Sequence, residues 1–208
     1  MNKINYSLET EKIIKSNKRE QTMPSLLLHA CCAPCSSACL EYLYQHFRIT
    51  IFYYNPNIFP KTEFDKRLLE EQRLISEMLP NETIEVLEGV YNYDEFLEIA
   101  KGLEDIPEGG ERCFKCYRLR LEKTAELAKE KGFDYFCTTL SISPLKNSQK
   151  INEIGFEVAE KYGVDWLPSD FKKKEGYKRS IELSKQYNLY RQNFCGCVFS
   201  KKEEALNE

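Results

Sequence analysis

Apolar runs alternate with amphipathic segments from residue 25 toward the C-terminus of the chain. Five of these runs are short and rich in β-branched and aromatic residues, which is typical of buried or half-buried strands. The predicted strands are 25–30, 48–55, 83–88, 133–140 and, with a weaker pattern, 164–168. The segments between the strands are long enough to form helices.

Helical periodicity appears in these intervening segments. The apolar residues from Phe64 to Leu79 fall on one stripe of a helix, and those from Ile151 to Tyr162 do the same. Gly132 stands where a C-cap glycine is expected. The predicted helices are 61–79, 92–103, 113–132 and 147–162, followed by a C-terminal helix and a short aromatic strand or turn.

Strands that alternate with helices predict an α/β layer fold with a mainly parallel sheet. We assign one domain to residues 25–200, with a polar extension before it (1–24) and a polar tail after it (201–208). The extension shows no sustained periodicity. We therefore expect it to be frayed or loosely docked.

Composition narrows the functional classes. The 208 residues are 42% hydrophobic, enough for one ordinary core, and the net charge of −3 gives no overall positive field for nucleic acid. No apolar stretch reaches the ~20 residues that span a bilayer. The polar N-terminus contains no secretory h-region. We expect a cytoplasmic protein, in which cysteines bind metal or perform redox chemistry more often than they pair.

Eight of the nine cysteines form three groups at predicted turns. The groups are Cys31, Cys32, Cys35 and Cys39; Cys113 and Cys116; and Cys195 and Cys197. The first group follows strand one, where ligands gather in open α/β sheets. The second opens a helix, whose N-terminus favours thiolates. The third flanks Gly196, a residue that permits an unusual backbone angle or a close approach.

The alternative for any single cysteine is packing. Cys137 lies inside a predicted strand and is most simply a core residue, and Cys39 on the following helix is either packing or close to a metal site. For the groups together, a structural zinc uses four ligands, and so does a 4Fe–4S cluster. Either choice leaves two or three thiols for a second ion. The spacing favours iron–sulfur over zinc.

Several strings together resemble the cobalamin-independent epoxyqueuosine reductases. They are LLLHACCAPC, YNPNIFPKTEF, RCFKCYRLRLEKTA, TTLSISPLKNSQKINEIG and SDFKKKEGYKRSIELSKQYNLYRQNFCGC, and the resemblance covers about residues 26–199. It implies a Rossmann-like three-layer fold similar to the adenine-nucleotide hydrolase-like group. It also implies removal of the epoxide oxygen from epoxyqueuosine at the tRNA wobble position, the last step of queuosine biosynthesis.

The same resemblance implies a 4Fe–4S cluster beside a separately coordinated, mononuclear iron. We assign the cluster to Cys32, Cys113, Cys116 and Cys195, and the lone iron to Cys31 and Cys197, with Cys35 as a further candidate. The split within each pair can be reversed. Family members can carry Asp where Cys35 stands, and a thiolate there changes the hardness of the iron site.

The resemblance leaves the proton donor open. Phe59 and Phe194 stand where His and Tyr are expected. We choose Tyr117 as a candidate catalytic proton donor, with packing on the buried stripe of its helix as the alternative.

The implied partners are tRNA with a GUN anticodon carrying epoxyqueuosine and an external electron donor. We expect no membrane and no ATP. The basic run 172–179, with Tyr177 interleaved, is a candidate RNA contact, although such a run is often only a solvated face. One alternative function is an ATP-dependent iron–sulfur tRNA-modifying enzyme, but the turn after strand one contains no glycine to cradle phosphates. The other is a non-catalytic, zinc-stapled RNA-binding module.

Overall fold

The computed structural model describes residues 4–192 and 194–200 as a five-stranded parallel sheet packed between helices. The strands are β1 (Ser25–His29), β2 (Arg48–Tyr53), β3 (Glu85–Glu88), β4 (Tyr135–Thr138) and β5 (Asp165–Trp166). The helices are α1 (Tyr6–Arg19), α2 (Ala33–Leu43), α3 (Lys61–Met78), α4 (Tyr93–Ala100), α5 (Glu111–Lys131), α6 (Ser148–Tyr162) and α7 (Gly176–Gln186), with a 3₁₀ helix at Thr139–Ile142.

The strand order β3-β2-β1-β4-β5 places β1 at the centre of the sheet. Leu26 of β1 is in register with Ile49 of β2 and with Tyr135 of β4, and all the pairings are parallel. The predicted α/β architecture with a Rossmann-like, three-layer arrangement is confirmed. Because β1 is flanked by strands on both edges, its carboxyl end opens at the middle of the sheet, where ligands bind in such folds.

The N-terminal extension is not frayed over residues 6–19, so that expectation is wrong there. These residues form α1, which buries Tyr6, Thr10, Ile14 and Asn17. The hydroxyl of Thr10 donates a hydrogen bond to the carbonyl oxygen of Pro168 at 2.6 Å, fixing α1 to the segment after β5. Hydrophobic periodicity did not reveal the buried face of α1, because two of its four buried residues are polar. The domain boundaries stay a prediction, and the tail 201–208 lies outside the described residues.

The predicted strand 133–140 is shorter in the structure. It ends at Thr138, whose side chain accepts from the Leu140 N–H and begins the 3₁₀ helix. Cys137 and Cys39 are both fully buried in the main core, which confirms the packing interpretation of Cys137. Gly132 ends α5 in the left-handed conformation, at φ +72°, as predicted. None of the described helices is both long and apolar enough to cross a membrane.

Candidate metal centre

The first cysteine group lies on a rigid loop at the carboxyl end of β1. His29 is buried, with its two ring nitrogens 2.8 Å from Thr138 Oγ1 and 2.9 Å from the Tyr54 carbonyl oxygen. The next carbonyl oxygen, that of Ala30, accepts from Asn55 Nδ2 at 2.8 Å. Cys32 then becomes the N-cap residue of α2. The chain entering the loop is therefore tied to β4 and to the segment after β2, and the chain leaving it continues directly into α2.

Three thiols of this loop form a compact set. The sulfur atoms of Cys31, Cys32 and Cys35 all lie within 4.8 Å of one another, and those of Cys31 and Cys32 are 3.8 Å apart. Two thiolates on one tetrahedral ion, each about 2.3 Å from the metal, are separated by about 3.8 Å. The spacing therefore fits a single ion held by all three, which we call the three-thiol set.

The other two cysteine groups meet on the far side of the loop. Cys116 and Cys197 are buried in one small cluster with Phe96 and Ala100, and Cys195 packs against the same cluster. Cys113 lies one helical turn before Cys116 in α5, and its sulfur accepts the Gly109 N–H at 3.2 Å. We call Cys113, Cys116, Cys195 and Cys197 the four-thiol set. Four cysteines are the number that a 4Fe–4S cluster takes.

Close backbone packing holds the segment 195–197 in position. Gly196 has φ +96°, and its lack of a side chain allows the close approach. A Cβ at this position would lie only 2.9 Å from Ile58 Cγ1. Its carbonyl oxygen accepts the Phe59 N–H at 3.0 Å. The neighbouring Cys195 carbonyl oxygen accepts from Arg67 Nη1 at 3.2 Å. The prediction of a close approach at Gly196 is confirmed.

One cavity of about 500 Å³ joins the two sets. The three-thiol set and Cys195 line its floor. Its walls include Asn55, Asn57, Arg67, Arg120, Lys146, Tyr177, Arg191 and Phe194. Two cysteine-bearing segments that are far apart in the sequence therefore meet at one concave site of the size that binds small ligands. The third segment, which carries Cys116, packs against Cys195 and Cys197 behind the cavity lining.

Buried positive charge surrounds these sulfur atoms. Arg120 is 1% exposed and donates to Asn55 Oδ1 at 3.4 Å and to the Cys116 carbonyl oxygen at 3.2 Å. It makes no ion pair with a carboxylate in the part of the chain that the structure describes. Lys146 Nζ lies 3.4 Å from Cys195 Sγ and 3.8 Å from Glu108 Oε1. Buried cations require anionic partners, and metal-bound thiolates would supply them, so the donor set fits an iron centre.

The protonation of the thiols depends on burial and on neighbouring sulfurs. Hydrogen bonds from Cys32 and Cys35 hold the pKa of Cys31 well below its ordinary value, and the same contacts raise the pKa of Cys35. Burial raises the pKa of Cys116 to about 12 and also raises that of Cys113. At the start of α5, desolvation therefore outweighs the helix N-terminus, which was expected to favour thiolates. A bound metal ion reverses this preference because it deprotonates a coordinating thiol.

Tyr117 lies in the hydrophobic core. It is 1% exposed, its ring packs near Phe114, and its hydroxyl has no hydrogen-bond partner among the described residues. Burial raises its pKa. Because Tyr117 is absent from the residues that line the cavity, its position favours the packing alternative, and its catalytic role stays a prediction. Phe59 stacks on Tyr93, and Phe194 faces Arg67 at the cavity wall.

The basic run 172–179 is largely neutralised by neighbouring carboxylates. Its ion pairs are Lys172 with Asp170, Lys174 with Glu11, Lys178 with Glu175, and Arg179 with both Glu41 and Glu182. This arrangement favours a solvated, paired face over a free positive patch. Sequence reasoning overlooked Asn55, Arg67 and Arg191, which line the cavity. The pattern signalled only that Asn55 ends a predicted strand.

Comparison with known proteins shows which family this chain is similar to. The model of the family described as "Epoxyqueuosine reductase QueH" matches residues 26–203. A protein of that name from Streptococcus pyogenes serotype M1 is 45% identical, over 99% of this chain and 81% of its own. Another protein of that name, from Staphylococcus epidermidis, is 44% identical over 99% of this chain and 88% of its own. A third, from Thermotoga maritima, is 37% identical over 87% of this chain and 92% of its own.

Proposed function

Because the chain belongs to the epoxyqueuosine reductase QueH family, we propose that its cysteine-lined cavity is where epoxyqueuosine is reduced. The chain is an epoxyqueuosine reductase, an oxidoreductase of queuosine biosynthesis that acts in tRNA processing. The observation that supports the location is that two cysteine-bearing segments line one cavity, while the third packs against Cys195 and Cys197.

The reaction requires two electrons and two protons. Both C–O bonds of the epoxide break, a carbon–carbon double bond forms between the two ring carbons, and the oxygen leaves as water. The product is the cyclopentene ring of queuosine. Because the substrate is reduced, an external electron donor must return the site to its reduced state after each turnover.

For the cofactors, we propose a 4Fe–4S cluster on the four-thiol set and a mononuclear iron on the three-thiol set. This differs from the assignment made on sequence, in which Cys32 served the cluster and Cys197 the lone iron. The 3.8 Å separation of the sulfurs of Cys31 and Cys32 supports placing both on one ion. When bound, the metals would supply single electrons and a Lewis acid for the epoxide oxygen.

The residues of the chain bind and orient the substrate in this proposal. The cavity is large enough to take a modified nucleoside, and its partly enclosed walls limit access of water. Asn55 fixes both the Ala30 carbonyl oxygen and the Arg120 guanidinium, which keeps the thiol loop and the buried charge at a constant separation. Lys146 presents an ammonium group to the cavity next to Cys195.

The substrate in this proposal is tRNA with a GUN anticodon, as the family assignment implies. No ATP is needed, because the turn from Ala30 to Cys35 presents sulfur atoms where a nucleotide-binding enzyme presents a glycine-rich phosphate cradle. A tRNA substrate and nine unpaired cysteines both support a cytoplasmic location.

Anaerobic reconstitution with iron and sulfide tests the proposal. We expect a brown protein whose visible absorption bleaches with dithionite. With a low-potential reductant, it should convert epoxyqueuosine-containing tRNA to a nucleoside lighter by one oxygen atom. The C116S variant should lose the visible absorption and the activity together. A colourless protein holding only zinc would favour the RNA-binding module, and a strict requirement for ATP would favour the ATP-dependent enzyme.

A further inference from the structure

Arg191 is an exposed cation at the mouth of the cavity. Four cationic side chains line the cavity, namely Arg67, Arg120, Lys146 and Arg191. The first three are buried. Arg191 is exposed, and it has no carboxylate partner within residues 4–192 and 194–200. Its guanidinium is therefore available to an anion that approaches the cavity from solvent.

Two hydroxyl groups fix the direction of this guanidinium. Arg191 Nη1 donates to Ser184 Oγ at 3.3 Å, and Nη2 donates to the hydroxyl oxygen of Tyr177 at 3.3 Å. The guanidinium carbon also lies 5.6 Å from the centre of the Tyr177 ring. A cation positioned in this way over an aromatic ring is orientated without being neutralised.

The charged run 172–179 differs in this respect. Arg179, the arginine of that run, donates to both carboxylate oxygens of Glu41, at 2.7 and 2.8 Å, and pairs with Glu182 as well. A guanidinium held by two carboxylates adds little positive potential for a polyanion. Arg191 and Arg179 are thus two arginines near α7 with opposite electrostatic environments.

The chemistry at the mouth suits single-stranded RNA. Tyr177 lines the cavity and is half-buried, so one part of its ring remains accessible. Proteins that take bases out of RNA loops combine aromatic surfaces for the bases with arginines for the phosphates. A phosphate at Arg191 would leave its nucleotide directly above the thiol-lined floor.

We infer that Arg191 binds a backbone phosphate of the anticodon loop next to the wobble nucleotide, with Tyr177 as the residue that positions it. This inference rests on the proposed function, since it supposes that the cavity receives the modified base. It assigns the phosphate contact to Arg191 at the cavity mouth in place of the lysines and the arginine of the run 172–179.

Salt-dependent binding tests the inference with a matched pair of variants. Binding of an anticodon stem-loop carrying epoxyqueuosine to the iron-loaded protein is measured anaerobically at several KCl concentrations. We expect R191Q to weaken binding about tenfold, the value of one charge-assisted contact. The slope of log K against log salt should fall by about 0.7, the share of one phosphate in single-stranded RNA. R179Q should leave both quantities unchanged.

Further variants separate charge from folding. R191K should keep the wild-type slope, because it keeps the charge, and all variants should keep the wild-type iron content and visible spectrum. Y177A should raise the KM for tRNA while kcat at saturating tRNA is preserved. Y177F should restore most of the loss, because the ring remains beneath the guanidinium.

Two outcomes overturn the inference alone. One is a wild-type slope and affinity in R191Q, and the other is a loss of slope in R179Q in place of R191Q. Turnover of full-length epoxyqueuosine-containing tRNA by the wild-type protein is the separate check of the proposed function. Its absence would overturn that function and this inference with it.

Discussion

At the residue scale, Cys35 and Cys39 show how one helical turn separates two kinds of cysteine. Both lie on α2, four residues apart. The sulfur of Cys35 belongs to the three-thiol set at the cavity floor. Cys39 is fully buried among the apolar side chains of the main core. The rise of about 6 Å along four residues of a helix moves the second thiol away from the metal centre.

We therefore expect serine substitution to lower the iron content at Cys35 and the folding stability at Cys39. C35S should retain the visible spectrum of the cluster but lose about one iron per chain, because an ion held by three thiolates keeps only two. C39S should retain all the iron and lose about 1–2 kcal/mol of stability, the cost of a hydroxyl buried in an apolar site. Iron analysis and thermal unfolding measure both effects. Equal iron loss in the two variants would contradict the three-thiol set.

Substitution of Lys146 should change the reduction potential of the proposed cluster. Its ammonium lies 3.4 Å from Cys195 Sγ and is 9% exposed, so its charge is poorly screened. Hydrogen bonds to cluster sulfurs and nearby positive charge stabilise the reduced form. K146Q should shift the midpoint potential of the cluster to a more negative value, and K146R should leave it close to wild type. Spectroscopic redox titration measures the shift, and identical potentials in K146Q and wild type would refute the assignment.

At the element scale, short connections decide where the cysteines meet. The turn at 195–197 is held by the Phe59 N–H and by Arg67, which belong to the segment before α3 and to α3 itself. The loop after β1 is held by Asn55, which follows β2. These two cysteine groups are thus fixed by polar contacts from the β2–α3 connection and from α3, in the manner that keeps a metal site preformed.

Two glycine substitutions test the turn at 195–197. Gly196 and Gly132 both have positive φ, so alanine costs about 1 kcal/mol of backbone strain at either position. A Cβ at Gly132 meets nothing within 4 Å, whereas one at Gly196 lies 2.9 Å from Ile58 and 3.1 Å from Arg67. We expect G196A to lose the cluster absorption and G132A to retain it. The visible spectrum after reconstitution measures this difference. Retention of the absorption in G196A would contradict the prediction and show that the turn can shift.

At the scale of the whole molecule, buried charge and thiols balance each other. Arg67, Arg112 and Arg120 are each 1–2% exposed, and Lys146 is nearly as buried. Arg67 pairs with Glu63 and Lys146 with Glu108. Arg120 depends on the cysteine-rich centre for negative charge. The buried positive charge of Arg120 would therefore gain negative partners when the thiols become metal-bound thiolates.

Metal removal should accordingly lower the midpoint of thermal unfolding. The effect should depend on Arg120. In the metal-free protein, R120M should raise the stability by about 1–3 kcal/mol, because it removes a buried charge without a carboxylate partner. In the loaded protein, the same substitution should lower the stability. Unfolding of both forms of both proteins is compared anaerobically, and equal destabilisation of the two forms would contradict the charge balance.

The sequence alone determined the layered architecture and the position of the first cysteine group in the turn after the first strand of the sheet. Hydrophobic periodicity is a local property, so the strands and the helices α3 to α6 could be predicted within a few residues, and α7 was predicted without bounds. The interpretation failed for α1, whose buried stripe includes Thr10 and Asn17. A polar residue buried by a tertiary hydrogen bond, such as that from Thr10 to Pro168, carries no local signal of its burial.

Only the tertiary structure decided which thiols lie close together and which cations have carboxylate partners. Residues 31, 113 and 195 are separated by about 80 positions at each step, and no spacing rule relates side chains across such distances. Likewise, Arg179 and Arg191 look equivalent in the sequence, yet Glu41 neutralises one of them from a distant helix. Distances between sulfur atoms and the pairing of charges follow from how the elements pack, because they depend on through-space separation and desolvation rather than on order along the chain.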